Sequence, residues 1–439
     1  MKYLHRRYQQ TRLKDFHNKS LQTPQRRGNL TKKECGMIRI NSYLHRTDLS
    51  DIVRRWMYDE VYPSDADLIT RLINFNHVYV SRYLRQFSDK IFQELYPSGL
   101  KRQHALRKGE LKDALVAHPP YRNQRIDELI LNYRANPEHF YRETPFHGAL
   151  FFTSRSGVDE CVGARRIKRV RRLAEKAARR ITDRIFDAIK KHADTLADDR
   201  ARRLGIPRRQ LVTLPEEMLD EFLEAESRLL EDLQHHRPIQ DGEDIMINDV
   251  AGIKMILEEP RQKHLMTLLQ QMPDCTVIEE EHHSGIYNAT NLIVRYCPDR
   301  EQILAQPIRG RILTVMQTRG IHPDQLQRTF AEFVRSGEEG IVLEIIISNY
   351  QETLESEIGR CIHEDRIIKQ RLNKQYRGHL SKNIEYLMEY LFAFPASSQR
   401  ELLELPIRVW NRYLPDYFDE VLKELFQIPS NGLLDETIS

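Results

Sequence analysis

The sequence predicts an α/β protein of the α+β kind, with a mixed-sheet core flanked by N-terminal and C-terminal helical regions. Three observations predict it. From about residue 245 the texture turns to short runs rich in β-branched and aliphatic residues, IMINDVAGIKMIL, TVIEEE, IYNATNLIVRY and GIVLEIIIS. Helical patterns follow the first and last of these, giving strand–helix–strand–strand–strand–helix, the order of a mixed sheet covered by helices. Before residue 150 and after 378 the apolar spacing is helical instead.

In chain order, residues 1–37 hold ten Lys or Arg against two acids, Asp15 and Glu34, with few aliphatic residues, and read as a loosely held basic arm. Residues 38–160 read as a helical accessory domain. Its strongest helix is DLITRLINFNHVYVSRYLRQFSDKIFQEL, stopped by Pro97 and Gly99. Residues 161–244 read as charged helices, basic and then acidic. The basic block over 165–184 has ten Lys or Arg and two acids; the acidic helix follows Pro215, with Thr213 and Glu216 spaced as a capping box. The simplest reading pairs these two helices with each other; a nucleic-acid or phosphate role for the basic one is the alternative. Residues 245–375 form the expected core, in which YQETLESEIGRCIHEDRIIKQRL reads as one helix, and 376–439 the C-terminal helices.

Composition excludes several classes. With 68 Lys or Arg against 64 Asp or Glu the net charge is +4, so the chain is neither polycation nor polyanion, although opposed blocks leave room for a basic face. The longest apolar runs, YLFAF and IVLEIII, fall far short of the ~18 residues a membrane helix needs. Five scattered cysteines with no CxxC argue against a disulfide framework or zinc ribbon, and a reducing cytoplasm fits. The first residues carry basic groups without an apolar stretch, so no secretory signal is expected.

No phosphate loop GxxxxGK[ST], GxGxxG, HExxH or GxSxG is present. One device for phosphate chemistry remains, carboxylates at strand ends holding magnesium. Asp249 interrupts IMINDVAGIKMIL and Glu344 interrupts IVLEIII. An acid in a buried strand costs several kcal/mol unless paired or metal-bound. Two on neighbouring strands suit Mg²⁺; the alternative is a salt bridge, for which Lys254 is at hand. His282 and His283 beside Glu279, Glu280 and Glu281 read as a solvated loop before a metal cluster, and Tyr287 alone reads as an ordinary strand aromatic.

The segment INDVAGIKMIL resembles the Asp-x-x-Gly-x-Arg signature of the RelA/SpoT family of (p)ppGpp synthetases, with Lys254 in the Arg place. CTVIEEEHHSGIYNATNLIVRY resembles that family's strand pair, with Gly285, Tyr287 and, in the His place, Asn291. VLEIIIS resembles its Val-Glu-Val-Gln-Ile-Arg strand and puts Glu344 on the catalytic Glu. Glu357, Gly359 and His363 follow Glu344 at the spacing of the family's Glu-x-Gly-x-x-x-His helix. Arg166, Lys168 and Lys176 are candidates for its ATP-binding Arg-x-Lys…Lys segment, with Arg172 at the usual Ser.

The resemblance implies a nucleotidyltransferase-like core and a pyrophosphokinase of the stringent-response type. Asp249 and Glu344 would hold Mg²⁺, Tyr287 would stack on the guanine of GDP or GTP, and Asn291 and Lys254 would stand beside the nucleotide. In the alternative, Glu344 would help deprotonate the acceptor 3′-hydroxyl, and Glu357 and His363 would support the site from their helix. ATP would donate its pyrophosphate to that hydroxyl and leave as AMP. The departures are specific. The family's Lys-bearing loop is here the acidic EEEHHSG, its strand Gln and Arg are Ile346 and Ser348, and the hydrolase His-Asp pair is missing from the first 240 residues. Two other outcomes therefore stand beside the first: a relative acting on tRNA 3′ ends through the block at 165–184, or a catalytically degenerate module binding RNA or a partner. Whether an insert at about 297–339 covers the site as a lid is open.

Overall fold

A computed structural model describes residues 37–429 apart from 98, 156, 238–243, 374, 375 and 377. The basic arm expected over 1–37 lies outside the described residues, save Met37. The chain opens with strand β1 (Ile38–Ile40) and helices α1 (Arg46–Met57) and α2 (Asp65–Leu95). Ile69, Leu72, Ile73, Phe75, Tyr79, Tyr83, Phe87, Ile91 and Phe92 of α2 are all buried, so its apolar stripe lies within the main core. Gly99, at φ +136°, turns the chain back where Pro97 had already ended the helix.

Strand β2 (Leu100–Arg107) then leads into α3 (Lys108–Ala117) and α4 (Gln124–Ala135), followed by a hairpin of β3 (Pro145–Arg155) and β4 (Val158–Ile167) turning at Gly157, φ +80°. Helices α5 (Val170–Arg203) and α6 (Pro215–Gln234) follow, then β5 (Ile245–Ile247), β6 (Ala251–Ile256), α7 (Glu259–Gln271), β7 (Cys275–His283) and β8 (Ala289–Tyr296). Three helices, α8 (Arg300–Leu304), α9 (Arg311–Thr318) and α10 (Pro323–Ser336), precede β9 (Ile341–Ser348). The chain continues through α11 (Tyr350–Ile358), α12 (His363–Leu372), α13 (His379–Ala393) and α14 (Pro415–Leu425).

Seven strands form one mixed sheet in the order β2-β3-β4-β6-β9-β8-β7, with β6 and β9 parallel and every other pair antiparallel. The α+β class with helical flanks therefore holds. The separate helical domain over 38–160 does not. Three of its segments, β2, β3 and the start of β4, are strands of the core sheet, and an expected boundary at 160/161 would cut β4 in two. GARRI reads as the start of a basic helix, but strand pairing runs to Ile167, and the helix begins at Val170.

Three further expectations change. IMINDVAGIKMIL is two strands: β5 pairs with β1 in a separate two-stranded sheet, and Asp249 stands in the break before β6. Asp249 thus stands outside the ladder, and the cost of its burial is offset by ion pairs with Lys168 and Lys176. The helix after β9 breaks at Gly359, where a Cβ would lie 2.7 Å from Cα of Glu355. The capping box of α6 is made by Glu217, whose carboxylate accepts from Leu214 N at 3.0 Å, while Thr213 receives a bond from Arg200. No helix among the described residues is long and apolar enough to cross a membrane.

Candidate active site

The two faces of the sheet have different fates. On one face Phe151, Met255, Leu343, Ile345 and Val294 are buried in the core that contains α2. On the other, α3, α4 and α11 cover a smaller apolar cluster around Ala164, Ile256 and Leu354. Next to that cluster the sheet faces a cavity of about 1890 Å³, walled by α5, α12 and α13. Strand register decides which side chains look into it. Arg166 of β4 is opposite Gly252 of β6, Gly252 is opposite Glu344 of β9, and Asn291 of β8 is opposite Ile346. All ten site residues expected from the sequence line this cavity: Asp249, Glu344, Tyr287, Asn291, Lys254, Arg166, Lys168, Lys176, Glu357 and His363.

One charge arrangement joins the end of β4, α5 and the break before β6. Lys168 and Lys176 donate to Asp249 Oδ2 at 2.5 and 2.7 Å, and the Lys168 amide donates to Val250 O at 2.8 Å. Burial opposes ionisation of Asp249, but the two ammonium groups override it and hold its carboxyl well below the usual carboxylate range. Burial pushes Lys168 down to about 8, against the pull of Asp249. Glu344 shows the reverse. Burial, reinforced by the Asp249 charge, raises its carboxyl against the attraction of Arg166, Lys168 and Lys176. Gly252 leaves the space beside it open, since a Cβ there would lie 3.7 Å from Glu344 Oε2.

The donor set fits a divalent cation. Asp249 Oδ1 is buried without a hydrogen-bond partner, and Glu344 makes no hydrogen bond or ion pair among the described residues. Two carboxylates with unused oxygens are what Mg²⁺ takes from a protein when substrate phosphates and water supply its other ligands. Among the described residues no group of three or more His, Cys, Asp or Glu is placed to hold a metal ion, so an all-protein cage is not on offer.

Lys254 is not the partner of Asp249. Its ammonium donates to Ser356 Oγ at 2.7 Å and Glu357 Oε1 at 3.2 Å. Glu357 also receives Lys108 Nζ at 2.7 Å, and Lys112 reaches Glu364 at 3.4 Å. This buried network fastens α3 to β6, α11 and α12 beneath the cavity. Burial would raise Glu357, yet Lys108, Lys254 and Lys112 hold its carboxyl well below the ordinary range. His363 is held well below the ordinary histidine range by burial, with Arg166 and Lys108 adding to the effect, so its imidazole is neutral.

At the mouth, the Arg366 guanidinium lies 4.2 Å from the Tyr287 ring centroid and the His283 ring 5.6 Å from it, while His283 Nε2 meets Asn291 Nδ2 at 3.0 Å. Lys108 and Arg366 escaped the sequence reading. Lys108 lies 141 residues before Asp249 in a stretch with no chemical motif, and only the helix following β9 could have pointed to Arg366.

The basic block faces the cavity more than it faces the acidic helix. The contacts between α5 and α6 lie further along, Arg200 to Glu217 at 2.7 Å and Phe186 against Phe222 at 6.1 Å. The insert at 297–339 contributes no residue to the cavity wall and packs beside α2, with Phe330 5.4 Å from Phe75; it is not a lid. Glu279, Glu280 and Glu281 do not line the cavity either. No family model, curated protein or solved structure matches the chain.

Proposed function

We propose that the chain is a RelA/SpoT-like nucleotide pyrophosphokinase with a nucleotidyltransferase-like core, which moves pyrophosphate from ATP to the 3′-hydroxyl of a guanine nucleotide, GDP or GTP. The observation that carries this reading is that residues spread from 166 to 363, chosen by motif, line one cavity together. Lys168, Lys176 and Arg166 hold the donor phosphates and spread the charge that builds during transfer. Tyr287 offers its ring to the acceptor base. The acceptor 3′-oxygen attacks the β-phosphorus of ATP, the bond from that phosphorus to the oxygen bridging to the α-phosphate breaks, and AMP leaves with that oxygen. Glu344, a stronger base because its carboxyl is raised, takes the hydroxyl proton. Mg²⁺ held by Asp249, with Glu344 as a second ligand only in the alternative where it is not the base, would supply Lewis-acid stabilisation of phosphate charge.

One observation favours a second acceptor. A cavity of about 1890 Å³ exceeds the ~300–1,000 Å³ of ordinary small-ligand pockets, and Arg169, Arg171 and Arg180 line it. That breadth suits the 3′ end of an RNA, whose backbone phosphates the arginines would meet. Incubation of the protein with labelled ATP, Mg²⁺ and either GTP or bulk tRNA tests both. AMP release coupled to a labelled acceptor supports the reading and names the acceptor; AMP release without one, or none at all, refutes it.

A further inference from the structure

Several cations that line the cavity near Asp249 and Glu357 are paired with a carboxylate. Lys168 and Lys176 share Asp249, Lys108 and Lys254 share Glu357, and Arg172 and Arg371 share Glu175. Arg366 is not. Its guanidinium makes no ion pair among the described residues, and its Nε is buried with no hydrogen-bond partner. One flank of the guanidinium lies against Tyr287, 4.2 Å from the ring centroid, and Nη2 stands 3.5 Å from His363 Nδ1. The neutral His363 supplies no countercharge. A half-buried cation fixed on an aromatic face, with an unused N–H, is an incomplete arrangement that an anion completes. The planar fork of arginine suits phosphate geometry.

We propose that Arg366 forms an anion subsite beside Tyr287 that holds the phosphate groups of the acceptor nucleotide, supplying from α12 the positive charge that the turn between β7 and β8 lacks. This deepens the reading of the cavity as a pyrophosphokinase site and rests on it for the identity of the ligand. The turn itself, Ser284 to Asn288, brings no Lys or Arg, and Gly285 at φ +105° with its amide on Asn288 Oδ1 at 2.8 Å closes it tightly. Arg366 therefore sits against the candidate base platform from the opposite element, across the cavity mouth.

Calorimetric titration of the full chain with GDP and with guanosine, which share a base and differ in phosphate, separates the subsite from the reaction. Wild type is expected to bind GDP more tightly than guanosine. Arg366→Ala should lose that preference by at least about tenfold, the size of one charge-assisted hydrogen bond, while its affinity for ATP stays within about twofold. Arg366→Lys should recover part of it, and unchanged thermal unfolding of both variants shows that the fold persists. An Arg366→Ala protein that keeps the full preference overturns the subsite, and so does a wild type that does not discriminate GDP from guanosine. Neither result depends on AMP release, so loss of the preference in a protein without transfer activity would refute the enzymatic reading and leave the subsite standing.

Discussion

Lys176 on α5 and Asp249 in the break before β6 meet at 2.7 Å across 73 residues of sequence. Lys168 reaches the same carboxylate oxygen, so this ion cluster ties the start of α5 to the edge of β6 and places the basic block at the cavity. Asp249 thus has two tasks, neutralising two lysines and offering Oδ1 to a ligand. Asp249→Asn should lower AMP release by about 10²–10³-fold, the cost of removing one preorganised electrostatic group. It should also lower the melting temperature, because both ammonium groups lose their countercharge. Activity and thermal unfolding of the same preparation check both halves.

Lys168 makes the donor site sensitive to pH. Its ammonium titrates at about 8, below the ordinary lysine value, because burial disfavours the charge. The folded protein therefore releases this proton before the unfolded chain does. From this group stability rises as pH climbs from about 8 toward the ordinary lysine value. The charge available for phosphate falls over the same rise. ATP affinity should weaken as pH passes through about 8, and Lys168→Arg, which stays charged, should hold its affinity flat.

Glu344 has the opposite balance of stability and use. Its carboxyl is raised by burial and by Asp249, so the folded state holds this proton more tightly than the unfolded chain, and stability falls as pH rises through the raised value. Glu344→Gln removes that penalty. It should raise stability at neutral pH by ~1 kcal/mol in denaturant titration while abolishing transfer, the usual exchange at a strained site.

Glu357 is structural by its contacts. Two ammonium groups, Lys108 at 2.7 Å and Lys254 at 3.2 Å, depend on it in a buried setting. Glu357→Gln should cost ~3–5 kcal/mol in urea unfolding, since it leaves buried charge uncompensated. Because the folded carboxyl lies well below its unfolded value, its contribution is complete above the ordinary glutamate range. It is lost as pH falls through the folded value. The variant should show a shallower loss of stability on acidification.

Within the core, β6, α7, β8 and β9 were legible because β-branched and aliphatic runs marked the strands and a helical pattern followed β6, whereas the helices α8, α9 and α10 between β8 and β9 were read only as an insert. The strands over 100–167 were not legible. β2 is exposed at six of its eight positions, with Ala105 alone buried, and its LKRQHALR shows no inner face to detect. β4 ends in GARRI, where Arg166 faces the cavity while Arg165 turns to Ser88 and Asp89 of α2, and its run of basic residues imitates the helix that follows. The site was legible where a motif marked it, at Asp249, Tyr287 and Glu344. It was hidden where charge is supplied by distant elements: the partner of Lys254 is Glu357, and Lys108 and Arg366 reach the cavity only through the packing of α3 and α12.

The most direct measurement uses ATP labelled at its β-phosphorus with Mg²⁺ and GDP or GTP, comparing wild type with Asp249→Ala. The account predicts AMP in step with a nucleotide product that carries the label on its 3′-oxygen, from wild type alone. Label appearing in ADP with no 3′-pyrophosphate product, or equal signal from both proteins, would contradict it.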